Sequence, residues 1–109
     1  MKILQNGIEM CDVEVADSFM TRFKGLMLRK CLNDTSGLLI KKCSSIHTCF
    51  MRFSIDVIYL DGDYTVLYTE TVVPWRTGKI VKNAKHVLEL PEGKKENYIT
   101  GQKLELVGV

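Results

Sequence analysis

Two carboxylates stand where the sequence makes carboxylates costly. Asp56 lies inside Ile55-Asp56-Val57-Ile58-Tyr59-Leu60, a run that is apolar at both parities, and Glu89 lies inside Val87-Leu88-Glu89-Leu90. A charge in such a strand is either paired or placed at the mouth of a pocket, because an isolated buried carboxylate is too unfavourable to keep. Arg22, Arg29 and Arg52 are the candidate partners. The planar guanidinium grips a carboxylate through two hydrogen bonds and keeps its charge when partly desolvated. Three chemistries are open to such a cluster. It can be a core ion-pair network that fixes strand register. It can, as the expected reading, line the pocket of a small binding or accessory domain for a small anionic or polar ligand, with the other two as alternatives. It can also be a hydrolase-like site with Asp56 or Glu89 as general base and an arginine stabilising developing negative charge.

Other residues carry weaker signals. Trp75, between Pro74 and Arg76, is expected as a core plug, with a stacking surface at the rim of the ligand pocket as the alternative. Cys43, His47 and Cys49 form C-x3-H-x-C, which matches no zinc spacing and needs a fourth ligand from elsewhere, such as His86 or Cys31; buried thiols beside a satisfied histidine are the expected reading, and no metal is assigned. Between Thr71 and Leu88 there is no acid, while Arg76, Lys79, Lys82 and Lys85 recur at every third position and His86 follows. This run reads as a solvated basic loop. It has one aromatic residue and no reader motif, so nucleic acid is not expected as a partner. The chain contains no glycine-rich phosphate loop, nucleophile elbow or paired-histidine metalloprotease motif, and no cofactor is expected.

These residues need a framework, and the pattern supplies a mostly β one. Residues 2–5 and 8–15 read as strands joined by an Asn6-Gly7 hairpin turn. From Asp17 the period changes to that of a helix, with Phe19, Met20, Phe23, Leu26 and Met27 on one stripe. Leu38-Leu39-Ile40 is a short buried strand. Residues 55–60 form a strand covered on both faces, and Asp61-Gly62-Asp63 turns it into a partner over 64–69. Pro74 ends that partner. A loop over 76–85 leads to a strand at 87–90, residues 92–100 suit a short helix closed by Gly101, and 103–107 alternate as a last strand. The predicted fold is α+β and mostly antiparallel. It is a curved sheet or small barrel-like domain of about seven short strands with one or two short helices.

Composition agrees. The chain has 109 residues, 46% apolar and 26% charged, which suits one globular domain over 1–109 and excludes a disordered or low-complexity chain. Fifteen Lys and Arg against thirteen Asp and Glu leave +2, too little to imply a polyanionic partner. No apolar run is long enough for a membrane span or a leader, and the four cysteines read as reduced thiols, so a cytoplasmic location is expected.

Four blocks in order carry a family resemblance: Arg22-Phe23-Lys24-Gly25-Leu26-Met27-Leu28-Arg29, the run Ile46 to Asp61, Pro74-Trp75-Arg76, and Ala84 to Gly93. Over roughly residues 8–107 the chain resembles the domain of unknown function 192 family, also called uncharacterised protein family 0127. The resemblance implies a compact, mostly β prokaryotic domain with no established activity or cofactor. Its polar motif positions include Arg22, Arg29, Thr48, Arg52, Asp56, Asp61 and Glu89. The sequence departs from the family pattern at Cys49, Ser54 and Gln102.

Overall fold

The computed structural model describes residues 1–16, 36–44, 46–48 and 53–108. The predicted helix from Asp17, along with Arg22, Arg29, Cys31, Cys49 and Arg52, lies outside the described residues. The described elements are strands β1 (Lys2–Gln5), β2 (Ile8–Ala16), β3 (Ser36–Lys41), β4 (Ile55–Leu60), β5 (Val66–Val72), β6 (His86–Pro91) and β7 (Leu104–Val107), with a 3-10 turn at Lys95–Asn97. The short helix expected over 92–100 is thus reduced to that single turn.

One seven-stranded sheet runs in the order β5-β4-β6-β3-β2-β1-β7. Five of the six strand pairings are antiparallel and one, β2 with β3, is parallel. The hairpins follow their turn chemistry. Asn6 and Gly7 both take positive φ, 52° and 75°, the left-handed pair that a two-residue hairpin turn requires. At the β4–β5 turn the Asp61 carboxylate accepts the amides of Asp63 (2.8 Å) and Thr65 (3.0 Å), so the side chain builds the reversal that its sequence suggested.

The sheet curls without closing. Its edge strands β5 and β7 meet only near their starts, where Thr65 and Lys103 bridge, Val66 N–H donates to Gln102 O (2.9 Å) and Leu104 N–H donates to Tyr64 O (2.9 Å). The curved sheet is therefore what forms, as an open sheet rather than a barrel. The enclosed face collects Ile3, Val13, Leu39, Ile58, Leu60, Val66, Leu88, Leu90 and Leu104, with residues from all seven strands, and Tyr98 joins them from beyond the 3-10 turn. The opposite face packs Leu38, Ile40, Ile55, Val57, Tyr59, Val72 and Val87 beneath Ile46 and Ala84. Strand β4 is buried at all six positions, as expected for a strand that is apolar at both parities.

Candidate functional site

Asp56 is fully buried, and its carboxylate is occupied. In register it sits beside Thr71 of β5 and Leu90 of β6. Thr71 Oγ1 donates to Oδ1 at 2.7 Å, and the backbone amides of Gly93 and Lys95 donate to Oδ2 at 2.9 and 2.8 Å. Lys95 Nζ in turn donates to Thr71 Oγ1 at 2.8 Å. The positive φ of Gly93, 96°, folds the chain after β6 back so that both amides reach one oxygen. Asp56 is thus a clamp on the turn that leaves β6. The sequence pointed to arginine for this role; Thr71 and two main-chain amides fill it among the described residues.

Glu89 is equally buried but on the other face. It pairs with Leu38 of β3 and Val57 of β4, one register position from the Asp56–Leu90 pair. Side chains alternate across a strand, so that offset of one sends the two carboxylates to opposite sides of the sheet. The expected convergence of Asp56 and Glu89 on one pocket is therefore not what forms.

Glu89 shares its face with a polar group that sequence reasoning missed. Glu70 of β5 lies in the same row, across Val57. Its Oε2 accepts the Tyr59 hydroxyl (2.5 Å) and the Lys79 amide (2.8 Å). Burial, and then the Glu70 carboxylate, push the Tyr59 phenol well above the ordinary tyrosine range. Gly78 lies against this group so closely that a Cβ there would stand 2.5 Å from the Tyr59 hydroxyl and 2.8 Å from Ile46 Cγ1. No motif flags Glu70; only its register, two strands from Glu89, could have pointed to it.

Thr48, fully buried, holds the loop that follows β5. Its hydroxyl donates to Val73 O (2.6 Å) and accepts the Arg76 amide (2.9 Å), while its main chain bonds Arg76 O (2.7 Å) and the Trp75 amide (2.9 Å). His47 bridges Thr77, and Gly78 N–H reaches Ile46 O. Trp75, expected as a core plug, is instead 60% exposed. The reason is backbone: at φ 64° it turns with the loop that Thr48 anchors, and its ring is carried outward.

A basic cleft opens where β3, β4 and β6 reach a common end. It has a volume of about 400 Å³ and is lined by Lys42, Ser44, Gly62, Ala84, Lys85 and His86. The His86 ring stacks on Tyr64 at 4.8 Å between centroids, and its Nδ1 accepts the Lys42 amide at 3.2 Å. With Nδ1 an acceptor, the proton of the neutral ring sits on Nε2. Burial lowers the His86 pKa from its ordinary value, and repulsion from Lys41 lowers it further, against a smaller opposing pull from Asp61.

Of the thiols, Cys11 is reduced and lies 3.5 Å from the Tyr98 hydroxyl, with burial raising its pKa. Cys43 is half-buried against the core. Among the described residues no three His, Cys, Asp or Glu side chains gather as a metal site. No helix among them is long and apolar enough to cross a membrane.

The fold matches two solved structures. A protein of unknown function from Novosphingobium aromaticivorans superposes with a TM-score of 0.79 at 20% identity, covering 96% of this chain and 82% of that one. A candidate transcription regulator from Sinorhizobium meliloti superposes at 0.76 with 22% identity, covering 95% and 89%. At these identities the likeness establishes the fold alone. In sequence the chain is 39% identical over 89 residues to a UPF0127 protein of Pyrococcus horikoshii, covering 79% of this chain and 77% of that protein. It is 41% identical over 87 residues to a UPF0127 protein of Pyrococcus abyssi, covering 74% and 72%. The model of the DUF192 family, described as an uncharacterised ACR, matches residues 1–106, and the chain belongs to this DUF192/UPF0127 family.

Proposed function

We propose that this domain is a small binding module and that its ligand is a small anion held in the cleft of Lys42, Ser44, Lys85 and His86. The observation that carries the reading is the state of His86. Its Nδ1 is engaged by the Lys42 amide, which leaves Nε2–H as the donor, in a cleft that also holds two lysines and a serine hydroxyl. Two ammonium groups supply charge, and the imidazole and hydroxyl supply directed hydrogen bonds, a set suited to a phosphate or carboxylate. This moves the ligand away from the expected Arg/Asp/Glu pocket, because Asp56 is spent on the turn after β6 and Glu89 lies across the sheet from it.

The hydrolase reading draws no support from Asp56 or Glu89. Both are 0% exposed, and both oxygens of Asp56 already accept hydrogen bonds. A general base needs reach to a substrate proton. Asp56 itself serves as a structural acceptor, its three described donors being a hydroxyl of β5 and two main-chain amides of the turn after β6.

The test is a titration with inorganic phosphate and, separately, acetate, followed by amide chemical shifts. Saturable shifts centred on residues 42–44, 62 and 84–86, lost in Lys85→Ala and His86→Gln, are expected. Shifts spread evenly over all exposed lysines, or none at all, would refute the site.

A further inference from the structure

The loop from β5 to β6 reverses the usual placement of apolar groups. Ile80 is 86% exposed, Trp75 60% and Val73 47%. Arg76, Lys79 and Lys82 are exposed among them, and no acid occurs from 71 to 88. Glu70, the acid just before this stretch, is half-buried, with Oε2 taken by the Tyr59 hydroxyl and the Lys79 amide. The apolar groups do not protrude because the loop is slack. Thr48 bonds Val73, Trp75 and Arg76, Ile46 bonds Gly78, and Glu70 bonds Lys79, so the stretch 73–79 is fastened at five residues. Trp75 keeps a positive φ of 64°, costly for a bulky side chain, within that fastening.

An exposed aliphatic tip among three cations has one well-matched counterpart. The geometry points to loop 73–82 as a docking surface for a membrane leaflet rich in anionic lipid. Ile80 enters the acyl boundary, the indole of Trp75 lies at the headgroup level, and Arg76, Lys79 and Lys82 meet lipid phosphates. Nucleic acid would satisfy the cations but offers no apolar phase for Ile80, and the loop has a single aromatic ring on which to stack a base. The anion cleft is not involved, since Lys85 and His86 are outside the surface.

Trp75 is the only tryptophan of the chain, so it reports on this loop directly. The full chain is mixed with vesicles of phosphatidylcholine alone or of phosphatidylcholine with phosphatidylglycerol, and both sedimentation and Trp75 emission are followed. Co-sedimentation with the anionic vesicles at low salt, weakened by added salt and accompanied by a blue shift, is expected. Ile80→Ser should lower the partition coefficient about tenfold by removing the aliphatic insertion, and Lys82→Glu roughly thirtyfold by changing the charge near the surface by two units. Both side chains are exposed, so unfolding midpoints should match wild type. Three results would each overturn the proposal: no co-sedimentation with anionic vesicles, equal affinity of Ile80→Ser and wild type, or retardation of single-stranded RNA by a protein that ignores vesicles.

Discussion

Replacing Asp56 by alanine removes the acceptor for three donors at once: the Thr71 hydroxyl and the amides of Gly93 and Lys95. A buried donor stranded in this way costs about 1–3 kcal/mol. Three of them would cost more than the domain loses in practice, because the turn at 93–95 can open and let water reach its amides. A net loss of about 3–5 kcal/mol follows, a large share of the roughly 5–15 kcal/mol that holds a domain of this size. The melting temperature should fall by roughly 10–25 °C. Asp56→Asn sharpens the reasoning. Its carbonyl oxygen can still accept the Gly93 and Lys95 amides, and its NH2 can donate to Thr71 Oγ1. Only the Thr71 proton is displaced, at about 1–2 kcal/mol. Urea unfolding followed by far-ultraviolet circular dichroism gives both values. Amide exchange at Gly93 and Lys95 should quicken in the alanine variant and stay slow in the asparagine variant. An alanine variant within 1 kcal/mol of wild type, taken as roughly the error of extrapolation, or an asparagine variant less stable than the alanine one, would refute the clamp.

Two further outcomes follow, one from the opposite face and one from tyrosines buried on the two faces. Gly78→Ala places a methyl 2.5 Å from the Tyr59 hydroxyl, whose ring is buried and tied to Glu70, so about 1–3 kcal/mol of stability should be lost, and Tyr59→Phe should restore part of it by removing the blocking oxygen; full additivity of the two substitutions in urea would contradict that contact. The phenols of Tyr59 and Tyr98 are both raised, chiefly by burial, above the ordinary value near 10. Below that ordinary value both folded and unfolded chains keep these protons, whereas above it only the unfolded chain releases them, so stability should fall as pH rises past about 10. Tyr59→Phe and Tyr98→Phe should each lessen that alkaline loss in urea midpoints, and an unchanged slope in both would contradict the burial argument.

How far the sequence exposed this arrangement depends on the kind of signal. The central strand at 55–60, the Asn6-Gly7 hairpin and the Asp61 turn were legible because each rests on local pattern: apolar residues at both parities, a left-handed pair, a side chain that caps its own reversal. The burial of Asp56 and Glu89 was legible for the same reason. Their separation was not, since it depends on pairing register between strands thirty residues apart, and one position of slip exchanges the faces. The donors to Asp56 were hidden for a related reason. Two of them are main-chain amides, which every residue carries, so no residue type marks them. Trp75 misled because its exposure comes from a backbone angle fixed by a distant threonine, Thr48, rather than from its own chemistry.

Register is also what links the buried acids to the cleft. Strand β6 lies between β3 and β4; β4 reads it residue for residue from His86 to Pro91, and β3 from His86 to Glu89. Asp56 fastens the chain just after Pro91, and His86 stands at the other end of the same strand, opposite Leu60 and Lys41. A slip of one residue would break the Asp56 bonds, turn Glu89 from one face to the other and carry the imidazole away from Tyr64 and the Lys42 amide. Each of these is costly, and the first two are costly because a carboxylate is involved: an apolar residue at 56 or 89 would tolerate either face of a sheet that is packed on both. Buried acids in this sheet therefore add to the cost of a slipped register, in the sense in which buried polar groups set register in other folds. That register is what brings two lysines, a serine and a histidine into one cleft.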